Sequence, residues 1–520
     1  MSGGVCRAAA VALTGLEGTT VMVESAVSQQ LPGMAIIGLP DAALAEAKQR
    51  VRTASAQAGL PLSSRFVVVN LAPASLPKQG SGFDLAIALA ALAASKHIPT
   101  AKLADTAHIG ELGLDGGLRR PAGLLSTVIA AKDLGFERVM VPAAAGEEAR
   151  LVPGIRVIEA HSLGAAVAWH RDVPGEWSEG SNSTWHTRAA TLQPPSATER
   201  FDMSDVIGQP EAVEAMTIAA AGRHHISLIG PPGSGKTLLA TRLPTLLPDL
   251  SPHESLVASS IASLSGTALN TLVTRPPFES PHHTASSAAI VGSGDSRGIR
   301  PGSISRASYG VLFMDEAPEF GRAVLDDLRE PLESGTITIS RARIHASLPA
   351  KLQLVLASNP CPCGNAGSPE TALSCTCSPN TRIRYLGRLS GPLNDRIDLR
   401  ITVRRVSNVL VSSSAPGTSA SSSELRERVL LARERTSKRL SDTPWNLNSE
   451  VPGEWLRSEP VRLPNSTTAA IDRALAYGSL TVRGYDRILR VAWTIADLAG
   501  LPRPGRSEVA QALRLRGSAA

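Results

Sequence analysis

Aromatic side chains are scarce in this chain: Phe, Tyr and Trp make up 3% of its 520 residues. Its cores must therefore rest mainly on Ala, Val, Leu and Ile. Long apolar runs are missing too. A membrane-spanning helix needs about 18–20 consecutive apolar residues, and the longest run, Leu85 to Ala94, falls well short. The opening stretch, MSGGVCRAAAVALTGLEG, is only briefly apolar before Glu17, too little for a secretory signal. A cytoplasmic location without membrane partners is expected, and thiols stay reduced there. Strong charge of one sign is also absent. A net charge of +6 permits nucleic-acid binding without establishing it. Cysteine is rare, five in all, yet Cys361, Cys363, Cys375 and Cys377 share one 17-residue window.

The length exceeds what one hydrophobic core usually supports, so two to four domains are expected. Residues 171–199 are rich in Ser, Thr, Pro and Gly and read as a linker after a domain over 1–170. A central domain over 200–405 follows. The low-complexity stretch VSSSAPGTSASSS marks a flexible loop over 406–423 before a helical part, 424–520. In the first domain, RFVVVNLAP (65–73) predicts a buried strand, FDLAIALAALAAS (83–95) an apolar helix and RVMVP (138–142) another strand. That alternation indicates an α/β fold.

ISLIGPPGSGKTLLATRL (226–243) carries the strongest motif. An apolar strand leads into Gly230, Pro231, Pro232, Gly233, Ser234, Gly235, Lys236 and Thr237, and a helix follows. This is G-x-x-x-x-G-K-[ST], in which glycines let backbone N–H groups curl around phosphates. Lys236 can reach the β- and γ-phosphates, and the Thr237 hydroxyl can ligate Mg²⁺. An ATP-type site is expected. GVLFMDEAPEF (310–320) predicts a second strand ending at Asp315, suited to Mg²⁺, and Glu316, suited to polarise an attacking water. LQLVLASN (352–359) predicts a third, with Asn359 at its end beside that water.

With these motifs in place, the chain resembles the magnesium-chelatase-like AAA+ ATPases, and within them the ComM/YifB competence-related family. The matching stretches include NLAPASLPKQGSGFDLAIAL, DVIGQPEAVEAMTIAAAG, PHHTASSAAIVGSG, NPCPCG, LSGPLNDRIDL and SLTVRGYDRILRVAWTIADLAG, spread over almost the whole chain. The resemblance implies a ribosomal-S5/Lon-protease-like α/β N-terminal domain, an AAA+ P-loop NTPase core and a C-terminal helical lid. It implies a homo-hexamer with Arg396 as arginine finger on a neighbour's ATP and Arg483 as the sensor-2 arginine. Arg487 and Arg490 compete for the second role, and an ion pair of Arg396 with Asp395 or Asp398 competes with the first. It also implies two pore-facing insertions, over 284–308 and 339–351, whose Arg297, Arg300, Arg341, Arg343 and Lys351 would contact DNA phosphates without reading sequence. The DNA would be branched or single-stranded. An ATP-dependent hexameric DNA translocase or helicase promoting branch migration during DNA uptake is the expected function. A metal-inserting chelatase motor and a protein-remodelling ATPase are the alternatives.

Two features stand beside that resemblance. The first domain lacks a Lon-type catalytic pair: Ser81 is present, but ELGLDGGLRRPAGLLS has no Lys to serve it, so a proteolytic role is not expected. The four clustered cysteines read C-x-C, eleven residues, C-x-C. Reduced thiols in that pattern suit tetrahedral Zn²⁺, in a structural role between a catalytic strand and the finger.

Overall fold

The computed structural model describes residues 4–28, 30–38, 41–62, 66–73, 82–181, 201–295, 298–341, 344–366, 372–405 and 420–517. Its N-terminal strands are β1 (Cys6–Thr14), β2 (Glu17–Ser28), β3 (Gly33–Ile37), β4 (Phe66–Ala72) and β5 (Thr106–His108). A small hairpin of β6 (Glu111–Leu112) and β7 (Leu118–Arg119) precedes β8 (Arg138–Pro142), β9 (Arg156–Ala160) and β10 (Trp177–Ser181). Eight of them form one mixed sheet in the order β10-β9-β8-β5-β1-β2-β4-β3. Burial alternates along β4, with Val67, Val69 and Leu71 inward, as a strand with one face on a core requires. Helix Asp84–Ala94 is apolar all round and correspondingly buried. The three elements expected from pattern in this domain are all present.

The expected linker over 171–199 begins later than its composition implied. Trp177–Ser181 forms β10, antiparallel to β9 with Trp177 opposite Ala160. The Trp177 ring packs on the N-terminal core. That stretch has no apolar period of its own; the open edge of β9 supplied the ladder that orders it. Residues 182–200 and 406–419 lie outside the described residues. The helix expected from 424 starts at Ser422, with the Ser421 hydroxyl accepting from the Glu424 N–H.

The second body contains β11 (Ile226–Ile229), β12 (Phe278–Glu279), β13 (Gly292–Asp295), β14 (Gly298–Pro301) and β15 (Val311–Met314). β16 (Thr336–Arg341), β17 (Ile344–Pro349), β18 (Gln353–Ser358) and β19 (Leu399–Thr402) complete it. Five strands form a wholly parallel sheet, β12-β15-β18-β11-β19. β13–β14 and β16–β17 are separate antiparallel hairpins; the first lies in the insertion expected over 284–308, and the second begins at Thr336, three residues before the one expected over 339–351. The C-terminal helices, among them Ser422–Arg439 and Val482–Ala499, share a hydrophobic core with the sheet through Val429, Ile488 and Trp493. The α/β class and the helical C-terminal part therefore agree with expectation.

The N-terminal part is fastened to the core by a buried polar lock. Arg120 and Glu148 pair at 2.6 Å, the Ser263 hydroxyl donates to Glu148 at 2.6 Å, and Arg120 donates to the Thr267 carbonyl at 2.7 Å. Ser263 belongs to helix Pro252–Leu264 of the core.

A buried histidine pair stiffens the N-terminal sheet. His108 and His170 approach Nε2 to Nε2 at 3.1 Å, and His108 Nδ1 lies 3.0 Å from the Ala9 carbonyl. A neutral pair satisfies this geometry, with His108 Nδ1–H donating to Ala9 and His170 Nε2–H donating to His108. Burial holds the His108 pKa down to about 4. Burial, reinforced by the charges of His108, Lys102 and Arg138, lowers that of His170 as well. Unfolded histidines take up protons near 6.5 while these do not, so stability should fall as pH drops from there toward 4. Each ring can contribute about 3 kcal/mol to that loss. His170→Gln keeps a donor but does not titrate, so urea unfolding from pH 7 to 4.5 should show a shallower pH slope in the variant. Equal slopes would remove the pair from this role.

Candidate nucleotide site and thiol cluster

Parallel register brings the expected nucleotide residues to one sheet edge. Ile229 of β11 lies opposite Ser358 of β18, and Met314 of β15 opposite Leu356. Gly230 and Asn359, the next residues along, therefore leave the sheet side by side, and Asp315 follows the end of β15 level with Ala357. Gly230 has no room for a side chain: a Cβ there would stand 2.3 Å from the Val403 carbonyl. Gly233 and Gly235 adopt φ of +72° and +91°, the left-handed region glycine tolerates. With Pro231, Pro232, Ser234 and Thr237 they complete the loop, and helix Lys236–Leu246 begins at its end.

The side chains meet as the motif spacing implied. Lys236 Nζ donates to the carbonyls of Gly230 at 2.7 Å and Pro231 at 3.0 Å, and to Asn359 Oδ1 at 3.1 Å. Desolvation lowers its pKa, while Asp315 and Glu316 counter that effect. Thr237 Oγ1 donates to Asp315 Oδ2 at 2.8 Å. These two oxygens are hard donors suited to Mg²⁺, and an ion between them would replace that hydrogen bond. The Ser234 hydroxyl is buried in the loop without a partner, a polar atom that an anionic ligand could satisfy.

Three contacts had no role assigned from sequence. His283 Nδ1 lies 3.3 Å from Glu316 Oε2, and Glu316 itself sits at φ +51°. Gln209 donates from Nε2 to the Ser234 carbonyl at 2.7 Å and the Arg404 carbonyl at 3.1 Å. Arg405 donates twice to the Pro232 carbonyl, at 2.9 and 3.1 Å. His283 and Gln209 lie in family-like stretches, PHHTASSAAIVGSG and DVIGQP, which was the available signal.

The expected arginines fare differently. Arg396 is 7% exposed, with its guanidinium on Glu333 and on the Pro392 carbonyl. The intramolecular ion pair weighed from sequence is thus present, with Glu333 as its partner in place of Asp395 or Asp398. In this conformation Arg396 is buried within its own chain. Asp398 is occupied instead by Arg487 and by the His225 N–H at 3.0 Å. Arg490 donates to the Val451 carbonyl at 2.7 Å. Of the three sensor candidates, Arg483 is the exposed one, in the first turn of helix Val482–Ala499.

Among the expected DNA contacts, Arg300 is exposed on β14 beside an open cleft of about 550 Å³ that also involves His282, Glu279 and Arg306. Lys351 is exposed just after β17, and Arg341 ends β16. Arg297 and Arg343 lie outside the described residues, as does Ser81.

The four cysteines converge. Their sulfurs all lie within 4.8 Å of one another, with Cys361 buried. Sγ separations are 3.4 Å for Cys361–Cys363, 3.8 Å for Cys361–Cys375 and 3.5 Å for Cys363–Cys375. The cluster is able to hold a metal ion. The Asn365 N–H, first among several hydrogen bonds, holds the Cys363 thiol down to about 6, while at Cys377 a backbone hydrogen bond from Cys363 is outweighed by burial and the neighbouring thiols, which push that thiol up to about 11.

A phosphate loop read from two neighbouring strand ends, with helices following the sheet, is the arrangement of the AAA+ class. The chain belongs to the magnesium-chelatase-like family of that class. The family model described as magnesium chelatase, subunit ChlI, matches residues 202–410, that for subunit ChlI of Mg-chelatase residues 23–145, and its C-terminal model residues 419–516. A Mycobacterium tuberculosis protein described as uncharacterized is 45% identical over 99% of both chains. YifB of Escherichia coli is 39% identical, covering 94% of this chain and 92% of its own. The competence protein ComM of Haemophilus influenzae is 38% identical, covering 96% and 95%. No helix among the described residues is long and apolar enough to cross a membrane.

Two substitutions test the site. Lys236→Ala should weaken nucleotide binding at least ~10-fold, because the loop loses its only ammonium. Glu316→Gln should keep affinity within ~2-fold while reducing hydrolysis at least ~100-fold, a transition-state loss. Fluorescent-nucleotide titration and phosphate release measure the two effects. Near wild-type turnover by Glu316→Gln would refute its role.

Proposed function

We propose that the protein is an ATP-driven, homo-hexameric DNA translocase that promotes branch migration of recombination intermediates during DNA uptake. It would act in the cytoplasm on branched or single-stranded DNA without reading sequence. The observation that most supports this reading is the pair of hairpins inserted in the chain on either side of β15. They pack together: a Cβ on Gly292 of β13 would stand 2.8 Å from Ile339 Cδ1 of β16. Each insertion exposes a cation, Arg300 on one and Lys351 at the foot of the other. Flexible cations attached to a nucleotide motor suit phosphate backbones, which position a protein on DNA but carry no sequence information. The printed name of the Haemophilus influenzae relative, a competence protein, is in keeping with this reading.

ATP with Mg²⁺ would be the fuel. Lys236 would bind the β- and γ-phosphates, Thr237 and Asp315 would hold Mg²⁺, and Glu316 would polarise water oriented by Asn359. In a ring, Arg396 of a neighbour would complete the site, which requires it to exchange Glu333 for phosphate, and Arg483 would report nucleotide to the lid. The four cysteines would hold one structural Zn²⁺. A Zn–S distance of about 2.3 Å sets tetrahedral S···S edges of about 3.8 Å, close to the separations found here.

DNA-stimulated ATPase activity separates this function from a chelatase motor and from a protein remodeller. Combined Arg300→Ala and Lys351→Ala should reduce DNA affinity at least ~10-fold near 0.1 M salt and lower the salt slope by about two. An unchanged affinity and slope would take DNA off these hairpins. Mixing Arg396→Ala with Lys236→Ala subunits should restore part of the hydrolysis that each lacks alone. Full activity of Arg396→Ala by itself would rule out the finger.

A further inference from the structure

The thiol cluster and the phosphate loop touch. Gly364 closes the turn that begins at Cys361, with its N–H donating to the Cys361 carbonyl at 2.9 Å. Its φ is +79°, and a Cβ placed on it would stand 2.4 Å from Pro232 Cδ and 2.6 Å from Pro232 Cγ. Glycine thus lets the backbone of the cysteine turn rest directly on the proline ring of the phosphate loop. The same proline's carbonyl takes both Arg405 bonds. Pro232 is therefore gripped by two distant segments, and one of them carries Cys361 and Cys363.

What holds that segment is the cluster itself. The Cys361 sulfur is buried and accepts from the Ala366 N–H at 3.4 Å. Across the cluster, Arg382 donates to the Cys375 sulfur at 3.3 Å and to the Cys377 carbonyl at 3.2 Å, tying that half to helix Pro379–Leu386. A cation on four thiolates would join the turn under Pro232 to this second anchor. Without the cation, the two halves are linked by weak thiol contacts, and thiolates formed there repel one another. The phosphate loop would then have to order its own support on binding, which costs affinity.

We propose that a thiophilic divalent cation on Cys361, Cys363, Cys375 and Cys377 controls nucleotide affinity by bracing Pro232 through Gly364. The inference rests on the zinc reading above. The cluster is then a metal-dependent control on the motor as well as a structural staple. Metal loss in one subunit weakens nucleotide binding at that subunit's own phosphate loop.

The test uses the full chain, with zinc measured by elemental analysis and affinity by titration with a fluorescent ATP analogue. Native protein should carry one equivalent of zinc. Removing it with a thiol-competing chelator should weaken nucleotide binding about ten-fold, and zinc added back should restore it. Cys377→Ser should lose the metal and show the same weakening. Gly364→Ala should keep the metal yet bind nucleotide about ten-fold more weakly, since its methyl group displaces Pro232. If Gly364→Ala does not fold, stripping and reloading the wild-type protein decides the matter. Stripped protein that binds nucleotide within two-fold of native overturns the coupling and leaves the zinc site standing. Native protein that holds no zinc and takes none up overturns both.

Discussion

Asp398 is a carboxylate buried to 3% exposure, and the AAA+ core is assembled around its compensation. An isolated buried charge would be prohibitively costly. This one receives the His225 N–H and the Arg487 guanidinium, with His224 Nδ1 3.7 Å away. Its pKa lies well below the ordinary carboxylate value: burial alone would raise it, but Arg487 and the histidines outweigh that. His225 stands directly before β11, the strand that delivers the phosphate loop, and its carbonyl receives the N–H groups of Asp398 and Leu399. Arg487 belongs to helix Val482–Ala499 of the C-terminal part. One carboxylate thus ties the start of the phosphate-loop strand, the start of β19 and the lid helix into a unit.

The phosphate loop is held from outside as much as by its own glycines. Gln209 grips Ser234, Arg405 grips Pro232, and Gly364 supports the Pro232 ring. These supports come from before β11, after β19 and after β18. A loop preorganised by three separate segments loses less freedom on binding. It is also open to influence from each of them. The His283–Glu316 contact applies a similar logic to the Glu316 carboxylate, since it joins that residue to the segment leading into the β13–β14 hairpin.

Residues 381–405 hold seven arginines against two aspartates, a local excess that shows why charge counts alone mislead. Its guanidinium groups are largely committed within the chain: Arg382 to the thiol cluster, Arg388 to Glu319, Arg396 to Glu333 and Arg405 to Pro232. The basic excess there first serves packing around the nucleotide site. The exposed cations of the hairpins lie elsewhere in the chain.

Local pattern determined a large part of this protein. The two hairpins were expected only from the family resemblance; the phosphate loop, the Asp315–Glu316 strand, Asn359 and the buried helix Asp84–Ala94 were legible in the residues themselves. Each depends on residues adjacent in the chain, where spacing, apolar period and glycine placement dictate geometry directly. The four cysteines were legible as a group for the same reason. Tertiary structure decided what depends on partners distant in the chain. Strand β10 forms because β9 offers an open edge, not because Trp177–Ser181 has a strand pattern. Arg396 pairs with Glu333 rather than with its neighbours Asp395 or Asp398, and Arg487 claims Asp398 from 89 residues away. The seat of Gly364 on Pro232 joins positions far apart in the chain. An ion pair or a close backbone approach selects its partner by distance in space, and only the folded chain sets that distance.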